Sequence, residues 1–291
     1  MITDLHFSLT SLAGEQALPA ALERLSALVG RYVVVKLGGS AMPHRQTVLQ
    51  DIACLRRLGI NLVLVHGGGA AITEWLNRIG KQAVFVNGLR VTDPETMEIA
   101  QMVLVGKVNQ ELVALLNHAG VKALGLSGID GALLRAQRKQ SVPDIGLVGE
   151  VHEVDALLLQ ALCAQGYVPV IAPIGLGPDG EALNINADTV AGDVARALEA
   201  DVVLFLTDVE GVRGADGRVL ARLTPRQVAQ LRADGVITGG MIPKVDACLH
   251  ALHGTARVYI ADGRRPHAIL LQLATDVQFG TSFIHEQARE P

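Results

Sequence analysis

The chain has 291 residues, of which 49% are hydrophobic, 19% are charged and only 3% are aromatic, and its formal net charge is −4. A chain of this size can bury a large aliphatic core, and the small negative charge argues against a broad nucleic-acid surface. Its 3 cysteines, Cys54, Cys163 and Cys248, are scattered, which argues against a disulfide framework or a zinc knuckle and fits a reducing cytoplasm. No apolar run approaches the roughly 18 residues of a membrane-spanning helix, and the first residues do not resemble an export signal. We therefore expect a cytoplasmic protein that binds neither membranes nor nucleic acids.

Strand and helix patterns alternate along the chain. In chain order they predict a helix at 17–29, a strand at 32–37, a helix at 46–57, a strand at 61–65, helices at 71–79 and 94–120, strands at 122–126 and 146–154, a helix at 155–164, a strand at 167–174, a helix at 188–198, a strand at 201–207, helices at 224–232 and 243–252, a strand at 257–260 and a helix at 267–273. Such alternation is typical of a parallel sheet covered by helices. Asp93 and Thr224, each followed by proline, are predicted N-caps.

Glycine clusters follow the first two predicted strands, which end in VVVKLGG and LVLVHGGG. Glycine lets backbone N–H groups approach phosphate oxygens, and open α/β sheets bind ligands at the carboxyl ends of their strands. The second cluster also precedes a predicted helix, whose N-terminus favours anions. We interpret these glycine clusters as places where the backbone approaches a ligand. Lys36 brings positive charge to the first motif, whereas His66 in the second is better explained as a buried core residue.

A polar run, Asn184-Ile185-Asn186-Ala187-Asp188, precedes another predicted helix. Asn and Asp commonly cap helices, and one of these residues is expected to do so. Capping does not need three polar side chains. We therefore interpret Asn184 and Asn186 as donors to a substrate carboxylate and Asp188 as a group that orients cations.

Lys244 lies in the first turn of the predicted helix that follows Gly239-Gly240. A cation at this position opposes the helix dipole, which indicates a functional reason for its presence. A second lysine, Lys36, together with an acid that holds both cations in place, would suit phosphoryl transfer, in which positioning and charge dominate.

Three further segments have competing interpretations. Residues 175–180 match G-x-G-x-x-G, but their Pro-Asp-Gly is turn chemistry and no helix follows, so a hairpin turn is favoured over a dinucleotide loop. Thr207-Asp208 is either an ordinary turn or a nucleotide contact. Arg90 is either a surface residue or a ligand of a carboxylate, which it can bind bidentately.

The order of several motifs resembles that of the amino acid kinase family, from about residue 32 to residue 284. These motifs are VVVKLGG, LVLVHGGG, NGLRVTDPETMEIAQMVLVGKVNQELV, GYVPVIAPIG, NINADTVAG, LTDVEGV and GGMIPKVDACL. Within the family, the match is to the branch that phosphorylates the side-chain carboxylate of N-acetyl-L-glutamate in arginine synthesis. The resemblance implies a three-layer αβα sandwich with a mainly parallel central sheet. It also implies a helical extension at 1–30, an amino-acid-binding lobe at 31–176 and an ATP-binding lobe at 177–291.

The resemblance implies a role for each candidate residue. Lys36 and Lys244 would stabilise the transferring phosphoryl group, and Asp188 would hold both lysines. The substrate would be bound by Gly68, Gly69, Arg90, Asn184 and Asn186. ATP would be bound by Gly38, Gly39, Thr207, Asp208, Gly239 and Gly240. Mg²⁺ would be held mainly by the ATP phosphates, so no protein ligand is assigned, and lobe closure would protect the acyl phosphate product from water.

Departures from the family pattern leave a second substrate open. Many relatives have proline where this chain has Ala70, and a basic residue where it has Ile129. The second departure, with the basic run at 135–139, resembles kinases that act on carrier-protein-linked aminoadipate or glutamate. The run would then face an acidic carrier; otherwise it is a solvated helix end or loop. A catalytically silent sensor is a further alternative, and an NAD-dependent enzyme would rest only on residues 175–180.

Both ends of the chain suggest regulation. The predicted helix at 17–29 and the C-terminal Pro266-His267 resemble arginine-inhibited members of the family, in which an N-terminal helix links dimers into a hexamer. We therefore expect a homo-oligomer, either a dimer or a hexamer, and feedback inhibition by arginine.

Overall fold

The computed structural model describes residues 18–38, 45–252, 257–275 and 279–286. The helices are α1 (Leu18–Ser26), α2 (Arg45–Arg57), α3 (Gly69–Arg78), α4 (Pro94–Gln101), α5 (Gln110–His118), α6 (Ala156–Ala164), α7 (Ala187–Ala197), α8 (Pro225–Ala233), α9 (Met241–Leu252) and α10 (Ala268–Ala274). The strands are β1 (Tyr32–Leu37), β2 (Asn61–His66), β3 (Phe85–Val86), β4 (Leu89–Arg90), β5 (Ala123–Ser127), β6 (Leu134–Arg138), β7 (Gly149–Val154), β8 (Val168–Ala172), β9 (Ile174–Leu176), β10 (Ala182–Asn184), β11 (Val202–Thr207), β12 (Arg222–Leu223), β13 (Arg257–Asp262) and β14 (Thr281–Phe283).

The central sheet has 8 strands in the order β12-β14-β13-β11-β1-β2-β8-β5. Neighbouring strands run parallel except β13 and β14, which are antiparallel. The chain leaves β1 toward β2 on one side and later returns to pair β11 on the other side. The carboxyl ends of β1, β2 and β11 therefore border one crevice, where open parallel sheets bind ligands.

Helices cover both faces of this sheet and form two apolar layers. Val33 and Val35 of β1 enter the layer with α1 to α5 and α10, whereas Val34 enters the layer with α6 to α9. The predicted three-layer αβα sandwich with a mainly parallel sheet is thus confirmed. Because side chains alternate along a strand, Lys36 faces the same side as Val34, toward α7 and α9.

A second sheet was not predicted. It has 4 strands in the order β10-β9-β6-β7. The basic run at 135–139 lies mostly in β6, so its interpretation as a helix end or loop is wrong. Polar side chains alternate with Leu134 and Ala136, which are buried, and this period of two marks a strand with one exposed face.

The match to G-x-G-x-x-G is a hairpin turn, as predicted. β9 and β10 pair antiparallel on either side of it, with Leu176 opposite Ala182. Gly180 has φ of 84°, a left-handed conformation that glycine adopts without steric cost. The segment therefore belongs to the second sheet and does not open a helix.

Pro94–His118 forms one continuous helical segment, which by length and composition alone could cross a membrane. Its apolar side is built into the protein core, where Leu104 and Val108 are buried. The middle part, Met102–Asn109, is π-helical, a winding that is frequent near functional sites.

The predicted N-caps are confirmed. Asp93 accepts a hydrogen bond from the N–H of Thr96 at 2.8 Å. Thr224 and Gln227 form a reciprocal capping box at the start of α8. Both caps can be recognised locally, because each is a polar residue directly before a proline at the first helical position.

The start of α10 is held by a residue far away in the chain. Asp51 of α2 is completely buried and accepts hydrogen bonds from the N–H groups of Ile269 at 3.1 Å and Leu270 at 3.3 Å. His267 Nδ1 lies 2.7 Å from the same carboxylate. The Asp51 carboxylate therefore fixes the start of α10 to α2, and α10 in turn packs against α1.

Candidate active site

Lys36 and Asp188 form a buried ion pair at the end of β1. Lys36 Nζ lies 2.7 Å from Asp188 Oδ1, and the two side chains are only 8% and 9% exposed. Asp188 belongs to the first turn of α7, which Asn186 caps by accepting from the N–H groups of Asp188 at 2.8 Å and Thr189 at 3.3 Å. The predicted cap in the polar run thus starts the helix in a way that aims the Asp188 carboxylate at the strand end.

Lys244 reaches the same carboxylate from α9. Its Nζ lies 3.5 Å from Asp188 Oδ2, and its side chain is 26% exposed. The helix begins just after Gly239, whose φ of 54° is left-handed. The structure therefore brings Lys36, Asp188 and Lys244 together. Lys244 is farther from the carboxylate than Lys36 is, and its side chain is more exposed to solvent.

These three groups carry one negative and two positive charges. Burial raises the pKa of Asp188, but the charges of Lys36 and Lys244 and their hydrogen bonds outweigh it and hold the pKa below its usual value. The carboxylate is therefore ionised at neutral pH, and the group as a whole is positive. Because α7 and α9 both begin here, their N-termini add to the attraction for anions. Such a site can stabilise negative charge that develops on a transferring phosphoryl group.

The glycine loop after β2 lies beside this group. The Gly67 N–H donates to the carbonyl of Leu37 at 3.0 Å, which ties the loop to β1. Gly68 is the N-cap residue of α3, and a Cβ added there would lie 2.5 Å from Leu104 Cδ2. A larger residue at this position would therefore force the Leu104 side chain of the π-helical segment to move. Gly69 begins α3, where the first N–H groups have no partner within the helix and can meet an anion.

Gly38 is a glycine for a different reason from the one predicted. Its N–H donates to the carbonyl of Leu206 at 3.0 Å, and an added Cβ would lie 2.9 Å from that oxygen. The residue allows close approach of β1 and β11, and its N–H is not available to a phosphate. The expected backbone donor at Gly38 is therefore corrected, and Gly39 lies outside the described residues.

Arg90 is buried at the end of β4 and only partly satisfied. Its Nη2 donates to the carbonyl of Gly69 and to Thr73 Oγ1, both at 2.8 Å, and its guanidinium lies 4.7 Å from the centre of the Phe85 ring. Burial lowers the pKa of Arg90, but an arginine stays charged at neutral pH. Its buried Nη1 has no hydrogen-bond partner among the described residues. An unpaired charged donor is costly, so this nitrogen indicates the position of an accepting ligand such as a carboxylate.

Asn184 lies next to the strand that carries Arg90. Its Nδ2 donates to Thr92 Oγ1 at 3.1 Å, and that hydroxyl donates to the Arg90 carbonyl at 2.8 Å. The Oδ1 of Asn186 is used as a helix cap, which leaves its amide nitrogen as the group that can meet a substrate. Arg90 and Asn184 are therefore brought together, whereas Asn186 serves the start of α7.

An unpredicted hairpin, β3 and β4, extends toward α9. A Cβ added to Gly88 at its tip would lie 3.9 Å from Pro243 Cγ, beside Lys244. The hairpin therefore connects the Arg90 region with the Lys244 region across the site. The dipeptide Asn87-Gly88 could have revealed it, because φ values of 50° and 80° are what a two-residue hairpin turn demands.

The candidate nucleotide contacts lie on the β11 side of the crevice. Thr207 ends β11, its carbonyl accepts from the Gly263 N–H at 2.8 Å, and its hydroxyl lies 3.1 Å from Asp208 Oδ1. Gly239 and Gly240 precede the first turn of α9. The crevice is therefore bordered from the C-terminal half of the chain by Thr207-Asp208 and by Gly239-Gly240.

The geometry agrees with similarity to known proteins. A family profile described as the amino acid kinase family matches residues 31–262. The chain belongs to the amino acid kinase family. The acetylglutamate kinase of Caldicellulosiruptor saccharolyticus is 46% identical over 272 residues, which cover 90% of this chain and 93% of that one. The acetylglutamate kinase of Symbiobacterium thermophilum is 48% identical over 281 residues, which cover 92% and 96%.

A solved structure shares the amino acid kinase fold. N-acetylglutamate synthase from Neisseria gonorrhoeae superposes with a TM-score of 0.84 at 24% identity. The match covers 95% of this chain and 63% of the synthase chain. At this level of identity, the likeness concerns the fold alone.

A buried polar network of His66, Asn109 and the Val170 carbonyl lies next to the glycine loop. His66 is fully buried, its Nδ1 lies 3.0 Å from the Gly67 carbonyl, and its Nε2 lies 3.1 Å from Asn109 Nδ2. The same amide donates to the Val170 carbonyl at 2.8 Å. Because the amide is a donor, Nε2 must accept and Nδ1 must carry the proton, so the ring is neutral. His66 is thus the buried core residue that was expected, and Asn109 is a supporting residue that was not predicted.

The neutral state of His66 predicts that the protein becomes less stable at acidic pH. Burial lowers its pKa from 6.5 to about 4. As the pH falls through 6.5, the histidine of the unfolded chain binds a proton that the folded chain does not bind. The free energy of unfolding therefore falls as the pH drops from about 7 toward 4 and is nearly constant at higher pH. The full effect is ~3 kcal/mol. Urea unfolding of wild type and His66→Gln at pH 7 and pH 4.5 measures it.

The Gln variant is expected to lose markedly less stability than wild type over this pH interval. His118, which is exposed near the end of α5, provides the matched control through His118→Gln. Equal pH slopes for wild type and His66→Gln would contradict a neutral buried ring.

Proposed function

We propose that the protein transfers the γ-phosphoryl group of ATP to the side-chain carboxylate of N-acetyl-L-glutamate, in the synthesis of arginine. The central support is the pairing of Lys36 and Lys244 with the two oxygens of Asp188, at 2.7 Å and 3.5 Å. The substrate assignment is supported by acetylglutamate kinases that are 46% to 48% identical over nine-tenths of the chain.

In this proposal, the lysines stabilise charge on the phosphoryl group during transfer. Lys36 and Lys244 face its equatorial oxygens, and Asp188 keeps their ammonium groups in place without taking part as a base. The N–H groups at Gly68 and Gly69 offer further donors at the start of α3. Positioning and electrostatic stabilisation are the main contributions that phosphoryl transfer requires of a protein.

ATP binds, in this proposal, on the β11 side of the crevice, near Thr207, Asp208, Gly239 and Gly240. The positive lysine group and two helix N-termini fit its phosphates. Mg²⁺ would accompany ATP, held mainly by the phosphates, and would supply further neutralisation of charge. Both Asp188 oxygens are already paired with lysines, which makes that carboxylate unsuitable as a metal ligand.

N-acetylglutamate binds, in this proposal, between Arg90 and Asn184. The unpaired Nη1 of Arg90 meets the α-carboxylate, with the Asn184 amide beside it. The Asn186 amide nitrogen is the remaining polar contact. The acceptor carboxylate at the other end of the substrate then points to the lysines.

The lobes at 31–176 and 177–291 would close over the reactants. Support comes from the β3–β4 hairpin, because a Cβ added to its Gly88 would contact Pro243 of α9. Closure of this kind would exclude water, which hydrolyses acyl phosphates. The helical extension proposed at 1–30 includes α1, which packs against α10.

The carrier-linked substrate is not favoured. Three basic residues of the run at 135–139 are each paired with a glutamate: Arg135 with Glu153, Arg138 with Glu181, and Lys139 with Glu150. The run is therefore largely neutralised within the protein and offers little net charge to an acidic carrier.

An assay with free substrate tests the proposal. Purified protein, ATP, Mg²⁺ and N-acetyl-L-glutamate should yield ADP and an acyl phosphate that hydroxylamine traps as a hydroxamate. Turnover only with a carrier-linked aminoadipate or glutamate would establish the alternative. No turnover with any carboxylate would favour a silent sensor.

Arg90 provides a prediction for substrate binding. Arg90→Lys keeps the positive charge but loses the planar guanidinium group, which can donate two parallel hydrogen bonds to a carboxylate. The KM for N-acetylglutamate should therefore rise about 10- to 100-fold, while the KM for ATP changes little. Arg78→Lys is the matched control, because Arg78 also stacks on an aromatic ring but is largely exposed. An equal rise in both Michaelis constants for Arg90→Lys would contradict a specific role in substrate binding.

We further propose a cytoplasmic homo-oligomer that arginine inhibits. Support for a subunit contact comes from three large apolar side chains exposed along α3 to α5: Ile79, Met102 and Leu115. The packing of α1 on α10 provides a place where an N-terminal helix can act on the C-terminal part. Light scattering and an arginine titration in the hydroxamate assay test these two points, and full activity at saturating arginine would remove the second.

A further inference from the structure

The position of Lys244 depends on a helix, unlike that of Lys36. β1 is hydrogen-bonded to β2 and β11 on its two sides, which fixes the Lys36 backbone within the sheet. Lys244 lies on α9, which is entered through Gly239-Gly240, and glycines permit many backbone conformations. The packing of α9 against its neighbours must therefore decide where the Lys244 ammonium group lies.

Helix α7, which carries Asp188, is the neighbour that matters. The contact between Asp188 and Lys244 at the start of the two helices is followed by a second contact one to two turns further on. There, His250 Nε2 of α9 lies 2.6 Å from Asp193 Oδ1 of α7. Asp193 is only 5% exposed, so this carboxylate is nearly buried and His250 is its close partner. The carboxylate can only accept, so Nε2–H is the donor.

The two helices approach each other unusually closely at Gly192. A Cβ added there would lie 3.2 Å from the Ala247 carbonyl oxygen and 3.4 Å from His250 Cδ2. A side chain at this position would need α9 to move outward by a few tenths of an ångström. Gly192 therefore sets the distance between the helices, and the Asp193–His250 bond sets their register.

We propose that Gly192, Asp193 and His250 are positioning residues for Lys244. They hold α9 on α7 so that the Lys244 ammonium group meets Asp188 at the site of phosphoryl transfer. This inference rests on the proposed kinase function and adds to it three residues that touch neither substrate. Since a shift of about 1 Å in a reacting group can cost 100-fold in rate, loss of this contact should act on kcat.

The first test is His250→Ala, compared with His250→Gln. The alanine variant should lower kcat about 10- to 100-fold and leave the KM values for ATP and N-acetylglutamate within about threefold. Gln can donate its Nε2–H to Asp193 and should recover most of kcat. A Gln variant no better than the Ala variant would count against the hydrogen bond as the cause.

The second test separates positioning from stability. Gly192→Ala puts a better helix former into α7, so Tm should not fall, yet the added Cβ should push α9 away and lower kcat about tenfold. Unchanged kcat in this variant would overturn the role of Gly192 as a spacer.

Arg196→Ala is the matched control. Arg196 lies 3.6 Å from the same Asp193 oxygen but is 54% exposed, so its loss leaves the His250 contact in place and kcat within about twofold. Wild-type turnover with an unaltered kcat in folded His250→Ala would overturn the positioning role alone. Absence of turnover by the wild type would overturn the kinase assignment, and this role with it.

Discussion

Replacement of Lys244 by alanine is expected to lower kcat about 100- to 1000-fold while the KM for ATP changes much less. The Lys244 ammonium group lies 3.5 Å from Asp188 on the open side of the site, where a phosphoryl group would arrive. The Lys244 charge stabilises the transition state most strongly, because negative charge then spreads over the oxygens of the phosphoryl group. Loss of this charge should therefore affect the chemical step more than ATP binding. Steady-state kinetics with the hydroxamate assay measure both constants.

The control for Lys244→Ala is Lys107→Ala. Lys107 is an exposed lysine that pairs with Glu111 within the segment Pro94–His118. Its removal should leave kcat within about twofold. If Lys244→Ala retained nearly full turnover, the two-lysine mechanism would be wrong, and a non-catalytic role for the cluster would have to be considered.

Asp188→Asn is expected to damage both activity and stability. The amide keeps the shape of the side chain but leaves Lys36, which is almost completely buried, without its counter-charge. Breaking a buried ion pair in this way costs ~3–5 kcal/mol of unfolding free energy. We also expect kcat to fall at least 100-fold, because two cations lose the group that positions them, while the Kd for ATP changes much less. Urea unfolding, calorimetric titration with ATP and kinetics provide the three measurements.

The pH dependence of wild-type stability provides a second test of the Lys36–Asp188 ion pair. The pKa of Asp188 lies below its unfolded value of 3.8, although burial alone would raise it. Its stabilising contribution is therefore fully present above about pH 4 and is lost as the pH falls through the lower, folded pKa. Asp188→Asn should remove this part of the acid-induced loss of stability.

The matched control is Asp246→Asn, which removes a carboxylate of α9 that pairs with Arg232 at the protein surface. Exposed ion pairs contribute at most ~1 kcal/mol, so this variant should unfold nearly as the wild type does and retain its turnover. Equal losses of kcat and of ATP affinity in Asp188→Asn would indicate that Asp188 is mainly structural.

Local sequence patterns predicted most of the central fold. The strand at 32–37 was placed with its observed bounds, because a run of β-branched residues between two turns has only one simple explanation. The caps at Asp93 and Thr224 were also correct, since a cap depends on residues within one helical turn.

Short strands and strand pairs were missed where their stabilising partners are distant in sequence. Leu134–Arg138 is a basic strand whose partners in β7 and β9 lie well downstream. Thr281–Phe283 has only 3 residues, too few to show an alternating pattern. Such segments become strands because neighbouring backbone groups satisfy their hydrogen bonds, and this is not visible in their own residues.

The candidate site was predicted unevenly for the same reason. Unusual local chemistry, such as a lysine in a first helical turn or a glycine cluster after a strand, singled out Lys36, Asp188 and Lys244. The reason for the glycine at position 38 was missed, because its N–H is taken by Leu206 of a strand distant in the chain. The unpaired Nη1 of Arg90 was equally invisible, since burial of that nitrogen depends on how the surrounding elements pack.

The amino-acid sequence alone therefore determined the alternation of strands and helices, the helix caps and the residues with unusual chemistry, because each of these depends on neighbours within a few positions. The tertiary structure decided that two ammonium groups meet one carboxylate, that a hairpin extends from Arg90 to α9, and that His250 and Asp193 join α9 to α7. Those features depend on distances between residues far apart in the chain, which are set only when the sheet and its two helical layers pack together.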